Sequence, residues 1–173
     1  ESVNDFIDSE KRQDFLLGYY LTWINEQKQK LHYINSEMQH YLDWKQERLI
    51  LFKTYNEYLF NQNFIDFADI LVLAWKVLTE FGRGELYAKL YKYVLVDEAQ
   101  DLSFAQYELI RALCNGNIKN ILMVGDPRQA IHGYAGANSM YFLENFKTDY
   151  NAVSRPIRHN YRSSKAVINL ANK

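Results

Sequence analysis

The chain has 173 residues, with 20 Lys and Arg against 21 Asp and Glu, so the formal net charge of −1 gives no global field of the kind that marks a histone-like or membrane-surface protein. Hydrophobic residues make up 48 %, including 14 Tyr, 10 Phe and 3 Trp, which is enough for one packed core and excludes a disordered chain. No apolar run approaches the roughly 20 residues of a membrane span, the start is not a signal peptide, and the lone Cys114 allows neither an intrachain disulfide nor a multi-cysteine metal site; a soluble, cytoplasmic protein with a buried cysteine is expected.

Residues 15–59 lack proline and carry Ile34, Met38, Tyr41, Leu42, Leu49, Phe52, Tyr55 and Leu59 at spacings of three and four. That period predicts one long helix or a broken pair with a single apolar stripe. Asp66 is placed to cap a further helix with Phe67, Ile70, Leu71, Ala74 and Leu78 on one face, ended by Gly82 and Gly84. The period then changes. Residues 93–96 and 121–124 are short β-rich runs that each lead into acidic residues, and 103–113 between them reads as a helix with Ala105, Leu109, Ile110 and Leu113 inward. This is a βαβ unit with a parallel pair, and ligands of such sheets sit beyond the carboxyl ends of the strands. Residues 151–173 carry Arg155, Arg158, Arg162, Lys165 and Lys173 and no acid, leaving −6 for the rest. The chain closes on a helix capped by Ser163 and Ser164 and reads as part of something larger.

Three segments carry chemistry. Asp97, Glu98, Ala99, Gln100 and Asp101 follow the first strand; a carboxylate at a strand tip can hold Mg²⁺ and its neighbour can orient water, or the acids can simply face the dipole of the next helix. Residues 125–137 follow the second strand, with Gly125, Gly133 and Gly136 and the rings of His132 and Tyr134; glycines allow close backbone approach and rings can stack on bases, or the segment is an ordinary turn-rich connection. Asn160, Tyr161, Arg162 and Ser163 stand in the basic tail, where a forked guanidinium suits a phosphate or is merely solvated at a helix start.

In order and spacing, 97–101 resembles motif II, 125–137 motif III and 160–163 motif IV of the UvrD/Rep-type superfamily 1 DNA helicases, and Asp66, Phe67, Ala68, Asp69, Ile70 and Leu71 resemble the Asp-Phe-rich helix upstream of motif II in that family. The resemblance covers residues 55–173. It implies an α/β fold, part of a RecA-like P-loop NTPase domain preceded by a largely helical inserted subdomain. Residues 1–60 would belong to that subdomain, 61–150 to the second portion of the first RecA-like domain, and 151–173 to the start of the second. By the same resemblance Asp97 binds Mg²⁺, Glu98 positions and deprotonates water, Gln129 senses the γ-phosphate of ATP, Arg162 touches that phosphate across the cleft and Tyr161 stacks on the adenine. Tyr134, with His132 beside it, would meet single-stranded DNA. His132 and Ala135 stand where the family usually has Tyr and Arg.

None of the seven glycines is followed by Lys and then Ser or Thr, so these residues contain no G-x-x-x-x-G-K-[ST] loop to cradle phosphates. Alone, the segment is expected to be inactive. The parent implied by the resemblance is an ATP-dependent helicase acting on single-stranded and partly duplex DNA. A helicase-like DNA-binding protein without hydrolysis, or the motor part of a helicase-nuclease, are the other readings.

Overall fold

The computed structural model describes residues 3–33, 45–114, 120–130 and 136–171, with side chains described at 14, 16–33, 45–114, 120–130 and 136–170. Helix α1 (Val3–Gln29) and helix α2 (Gln46–Asn61) are a broken pair rather than one rod. The break has a local cause. Leu31 adopts a left-handed φ of 60°, its N–H donates to the carbonyl of Lys28 (2.8 Å) and that of His32 to the carbonyl of Gln27 (3.0 Å), which is a Schellman-type helix end built without glycine. Asn63, at φ 55°, ends α2 the same way. Of the expected stripe, Phe52 is buried and Leu49 and Tyr55 pack beside it against Trp23 and Ile24 of α1, while Ile34, Met38, Tyr41 and Leu42 lie outside the described residues.

Helix α3 (Phe67–Thr79) begins as expected at Asp66, which forms a capping box: the Asp69 N–H donates to Asp66 Oδ1 (2.8 Å) and the Asp66 N–H to Asp69 Oδ2 (3.1 Å). Its inward face differs from the expected one. Ala68 and Val72 are buried, with Leu71 and Trp75 packed nearby, whereas Phe67 is 90 % exposed and Ile70 also faces solvent. The rotation is set by Lys28 of α1, whose ammonium is buried and lies 2.7 Å from both Asp66 Oδ2 and Asp69 Oδ1. Turning Asp69 toward that charge turns Val72, one turn further on, inward as well. Tyr55 of α2 completes the cluster, donating its hydroxyl to Asp66 (3.1 Å) with its ring beneath the ammonium.

Gly82, at φ 63°, closes the end of α3, but Gly84 does not end it. Gly84 opens the short helix α4 (Gly84–Ala88) and is buried where a Cβ would meet the carbonyl oxygens of Leu78 and Ala112 at 3.0 and 3.1 Å. Strands β1 (Val94–Val96) and β2 (Ile121–Met123) are parallel, with Val94 opposite Ile121 and Val96 opposite Met123. Helix α5 (Phe104–Cys114) joins them and packs on α3, α4 and α1. Ala105, Tyr107 and Cys114 are its buried residues, while Leu109, Ile110 and Leu113 are only half-buried. Tyr107 can lie inward because its hydroxyl donates to Asp149 (2.8 Å) and its ring stacks on Tyr141. After β2 come a π-helical turn (Tyr141–Asn145) and helix α6 (Phe146–Tyr150), whose Phe146 joins Ala99, Leu102, Tyr107 and Met123 in the core under the sheet. The other sheet face is open: Leu95 and Leu122 are exposed. Helix α7 (Lys165–Ala171) ends the described chain. No helix among the described residues is long and apolar enough to cross a membrane.

Burial on its own would raise the Asp66 carboxyl, but the hydrogen bonds from Lys28, the Asp69 amide and Tyr55, together with the Lys28 charge, hold it below the usual carboxylate range. The stabilisation from this group is therefore complete above an unfolded value near 3.9 and is lost as pH falls through the lower folded value. Lys28→Met should destabilise by roughly 2–3 kcal/mol, since it strands two partly solvated carboxylates. Adding Asp66→Asn and Asp69→Asn should recover much of that loss, because Asn can still cap; urea titrations of the three proteins at pH 7 and pH 3 test both the order and its acid dependence.

Candidate functional site

The two strand tips are joined by a ladder that continues past the sheet. The Val124 N–H donates to the Val96 carbonyl (2.8 Å) and the Ala99 N–H to the Val124 carbonyl (2.9 Å). Between them Asp97 and Glu98 bulge into solvent, Glu98 in the left-handed region at φ 49°, ψ 41°. A non-glycine residue there is strained and persists only where its surroundings hold it. One support is the Glu98 N–H, which donates to Asp97 Oδ1 (2.9 Å). The second is Gln100, 1 % exposed, whose Nε2 donates to Glu98 Oε2 at 2.8 Å and lies 3.5 Å from Asp101 Oδ2. Its Oε1 accepts from the backbone N–H of Asp126 (2.9 Å). Only this orientation of the amide serves both neighbours, since the N–H of Asp126 requires an acceptor and the carboxylate a donor.

Gly125 makes the approach possible. A Cβ at that position would lie 2.5 Å from Gln100 Oε1 and 3.1 Å from the backbone nitrogens of Ala99 and Gln100. Beyond it Asp126 nucleates a 3-10 turn (Pro127–Gln129), accepting from the Arg128 N–H on Oδ1 (3.0 Å) and from Gln129 Nε2 on Oδ2 (2.9 Å). The hydrogen bond from Gln129, then that from the Arg128 amide, lowers the Asp126 carboxyl below its ordinary range. Further on, Ala137 bridges Ser103 in antiparallel fashion and the Asn138 N–H donates to the Leu102 carbonyl (3.0 Å), which fastens Ala137 and Asn138 to the start of α5.

Asp97, Glu98 and Gln129 are thus brought to adjacent strand tips, all exposed. Tyr161 and Arg162 are not part of that group. Tyr161 is 90 % exposed, with its ring beside His159, and Arg162 is exposed with its backbone N–H on Asn160 Oδ1 (2.9 Å). The Ser163 N–H shares that acceptor (2.8 Å), so Asn160 shapes the turn that leads into α7. His132, Tyr134 and Ala135 lie outside the described residues. Sequence reasoning assigns no separate role to Gln100 or Asp126, although it points to Gly125 as a place of close backbone approach. The signals for the two were a glutamine bracketed by acids directly after a β-run and an Asp-Pro pair, a common turn start.

Among the described residues no group of three or more His, Cys, Asp or Glu side chains could hold a metal ion by itself. Asp97 can still offer one, because its Oδ1 is engaged by an amide while the carboxylate is exposed. A single oxygen of that kind suits Mg²⁺, which keeps several waters and is shared with substrate phosphates.

Residues 4–151 match the family model of the UvrD/REP helicase N-terminal domain. The chain is 39 % identical over 123 residues to an ATP-dependent DNA helicase Rep of Buchnera aphidicola, covering 70 % of this chain and 18 % of that protein. It is 38 % identical over 124 residues to a probable DNA helicase of Mycoplasma pneumoniae (69 % and 23 %), and 34 % identical over 125 residues to the ATP-dependent DNA helicase PcrA of Staphylococcus epidermidis (71 % and 17 %). The chain therefore spans about a fifth of the length of the curated relatives it matches.

Gly125→Ala should cost about 1–3 kcal/mol, as overpacking against fixed backbone does, and should displace Gln100. Chemical denaturation gives the first quantity. Loss of protection of the Asp126 amide in hydrogen exchange gives the second, and wild-type protection in the variant would contradict the close approach.

Proposed function

The chain belongs to the UvrD/Rep helicase family, and on that premise we propose that it forms part of an ATP-driven DNA helicase whose nucleotide site includes the tips of β1 and β2. The observation that carries this reading is the convergence of Asp97, Glu98 and Gln129 at neighbouring strand ends, where ligands of parallel sheets bind. Residues 61–150 would be the second portion of a RecA-like domain. The open face at Leu95 and Leu122 supports that assignment, since parallel sheets are covered on both faces. Residues 1–60 would belong to an inserted helical subdomain, and 151–173 would lead into a second RecA-like domain. The proposed setting is the cytoplasm.

Asp97 would bind Mg²⁺ through its free oxygen, and the bound ion would neutralise charge on the β- and γ-phosphates of ATP. Glu98, one residue on, would hold the attacking water and take its proton. Gln129 would meet the γ-phosphate from the second strand tip. Arg162 would come to the same phosphate from the far side of the cleft, where a guanidinium stabilises charge developing in the transition state. Tyr161, with its ring 90 % exposed, would stack on the adenine. Tyr134 and His132 would contact single-stranded DNA, the substrate proposed together with partly duplex DNA.

In the full-length protein, Glu98→Gln should retain nucleotide binding within about threefold and lose DNA-stimulated hydrolysis by roughly a hundredfold or more, because the amide matches the carboxylate in shape but cannot accept the proton. Phosphate release and fluorescent-nucleotide titration separate the two quantities. A wild-type protein that binds DNA but turns over no ATP would favour the binding-protein alternative.

A stacked base contributes about 1–3 kcal/mol, so Tyr134→Ala should weaken single-stranded DNA binding about tenfold or more while Tyr134→Phe stays near wild type. Anisotropy of a labelled oligothymidine, with both variants checked for folding, measures this. Equal affinity of the wild type and Tyr134→Ala would remove the residue from the DNA contact.

A further inference from the structure

We propose that Gln100 is a positioning residue that sets the water-orienting Glu98 and the phosphate-sensing Gln129 as one unit. The inference rests on the roles given to those two residues above. The link is continuous: Gln129 Nε2 donates to Asp126 Oδ2 (2.9 Å), the Asp126 backbone N–H donates to Gln100 Oε1 (2.9 Å), and Gln100 Nε2 donates to Glu98 Oε2 (2.8 Å). Each member fixes the next.

Three observations separate this from a glutamine that merely fills space. The side chain is only 1 % exposed and both ends of its amide are engaged, so it cannot change partner without leaving a buried polar group unmet. Its Oε1 is confined by Gly125, where even a methyl group would intrude at 2.5 Å. And the carboxylate it holds stands on a left-handed backbone at φ 49°, a conformation that does not by itself aim the side chain. A shift of Gln129 on meeting a phosphate would therefore pass through the Asp126 turn to the Glu98 carboxylate, and loss of Gln100 would leave both groups present but unaligned. Misplacing a reacting group by about 1 Å can lower a rate about a hundredfold.

The test uses the full-length protein and three changes: Gln100→Leu, which removes both contacts; Gln100→Glu, which keeps the shape and loses the donor; and Gln129→Ala. Both Gln100 variants should bind nucleotide within about threefold of wild type and lose about ten- to hundredfold in kcat for DNA-stimulated hydrolysis, leaving KM for ATP nearly unchanged. The double variant Gln100→Leu with Gln129→Ala should be within about threefold of the worse single, since residues that act as a unit are not additive. Independently of turnover, the Asp126 amide should exchange with solvent at least about tenfold faster in Gln100→Leu, while the amides of β2 keep their protection.

A kcat within about threefold of wild type in both Gln100 variants overturns the proposal, and so do fully multiplicative losses or an effect confined to KM. If Gln100→Leu is unfolded, Gln100→Glu carries the same comparison. Wild-type protein without ATPase activity defeats the helicase reading itself, whereas wild-type turnover with unaffected Gln100 variants defeats this role alone.

Discussion

A buried ammonium has to be compensated where it lies, and that requirement at Lys28 organises the helical part of the molecule. The charge is met by Asp66 and Asp69, 38 and 41 positions further on, and by the face and hydroxyl of Tyr55. The same two carboxylates cap α3, so helix initiation and charge neutralisation are one arrangement. Because Asp69 must face α1, the rotation of α3 follows, and with it the burial of Val72 beside Leu31 and Ala105. Ala105 lies near the start of α5, directly after the acidic strand tip. The position of the chemistry is thus tied, through two packed helices, to one cation held away from water, and removing one partner of such a buried pair costs far more than the intact pair contributes.

At the strand tips the structure exchanges one kind of hydrogen bond for another. Backbone pairing carries the ladder as far as Val124 on Ala99. There Glu98 turns left-handed, the two acids leave the sheet, and the side chain of Gln100 takes over as acceptor for the next amide, that of Asp126. A side-chain amide carries an acceptor and a donor on one group, so Gln100 meets the Asp126 amide and the Glu98 carboxylate at once. The sheet is thereby extended by a group that touches both proposed functional loops.

What was legible in the sequence was local. The Asp66 cap, the two β-runs and the helix between them rest on neighbours within four residues and stand where the sequence puts them. The helix break at Leu31 was hidden because its left-handed residue is not a glycine. The inward face of α3 was hidden because Phe67 and Ile70 are as apolar as Val72, and only the distant Lys28 distinguishes the two faces. For the site, βαβ topology was enough to place the run 97–101 and the segment that follows the second strand at one edge, and only the family resemblance singled out Asp97, Glu98 and Gln129 within them. The topology could not reveal the role of Gln100, whose Oε1 accepts from an amide 26 residues away, nor bring Tyr161 and Arg162 to that edge.

The separation of the tail from the strand tips has an electrostatic logic. Asp97, Glu98, Asp101 and Asp126 crowd the carboxyl ends of the two strands, with Arg128 beside them. A nucleotide, itself a polyanion, would be repelled by such an edge unless cations come with it. Mg²⁺ on Asp97 would supply some of that charge and the basic tail the rest, because residues 151–173 hold five cations and no acid. Arg155, Arg158 and Arg162 are exposed and so remain available to meet phosphate. On the proposed reading, the acidic strand tips and the cationic tail would complement a nucleotide only together, so that closure of the two sides would depend on the ligand.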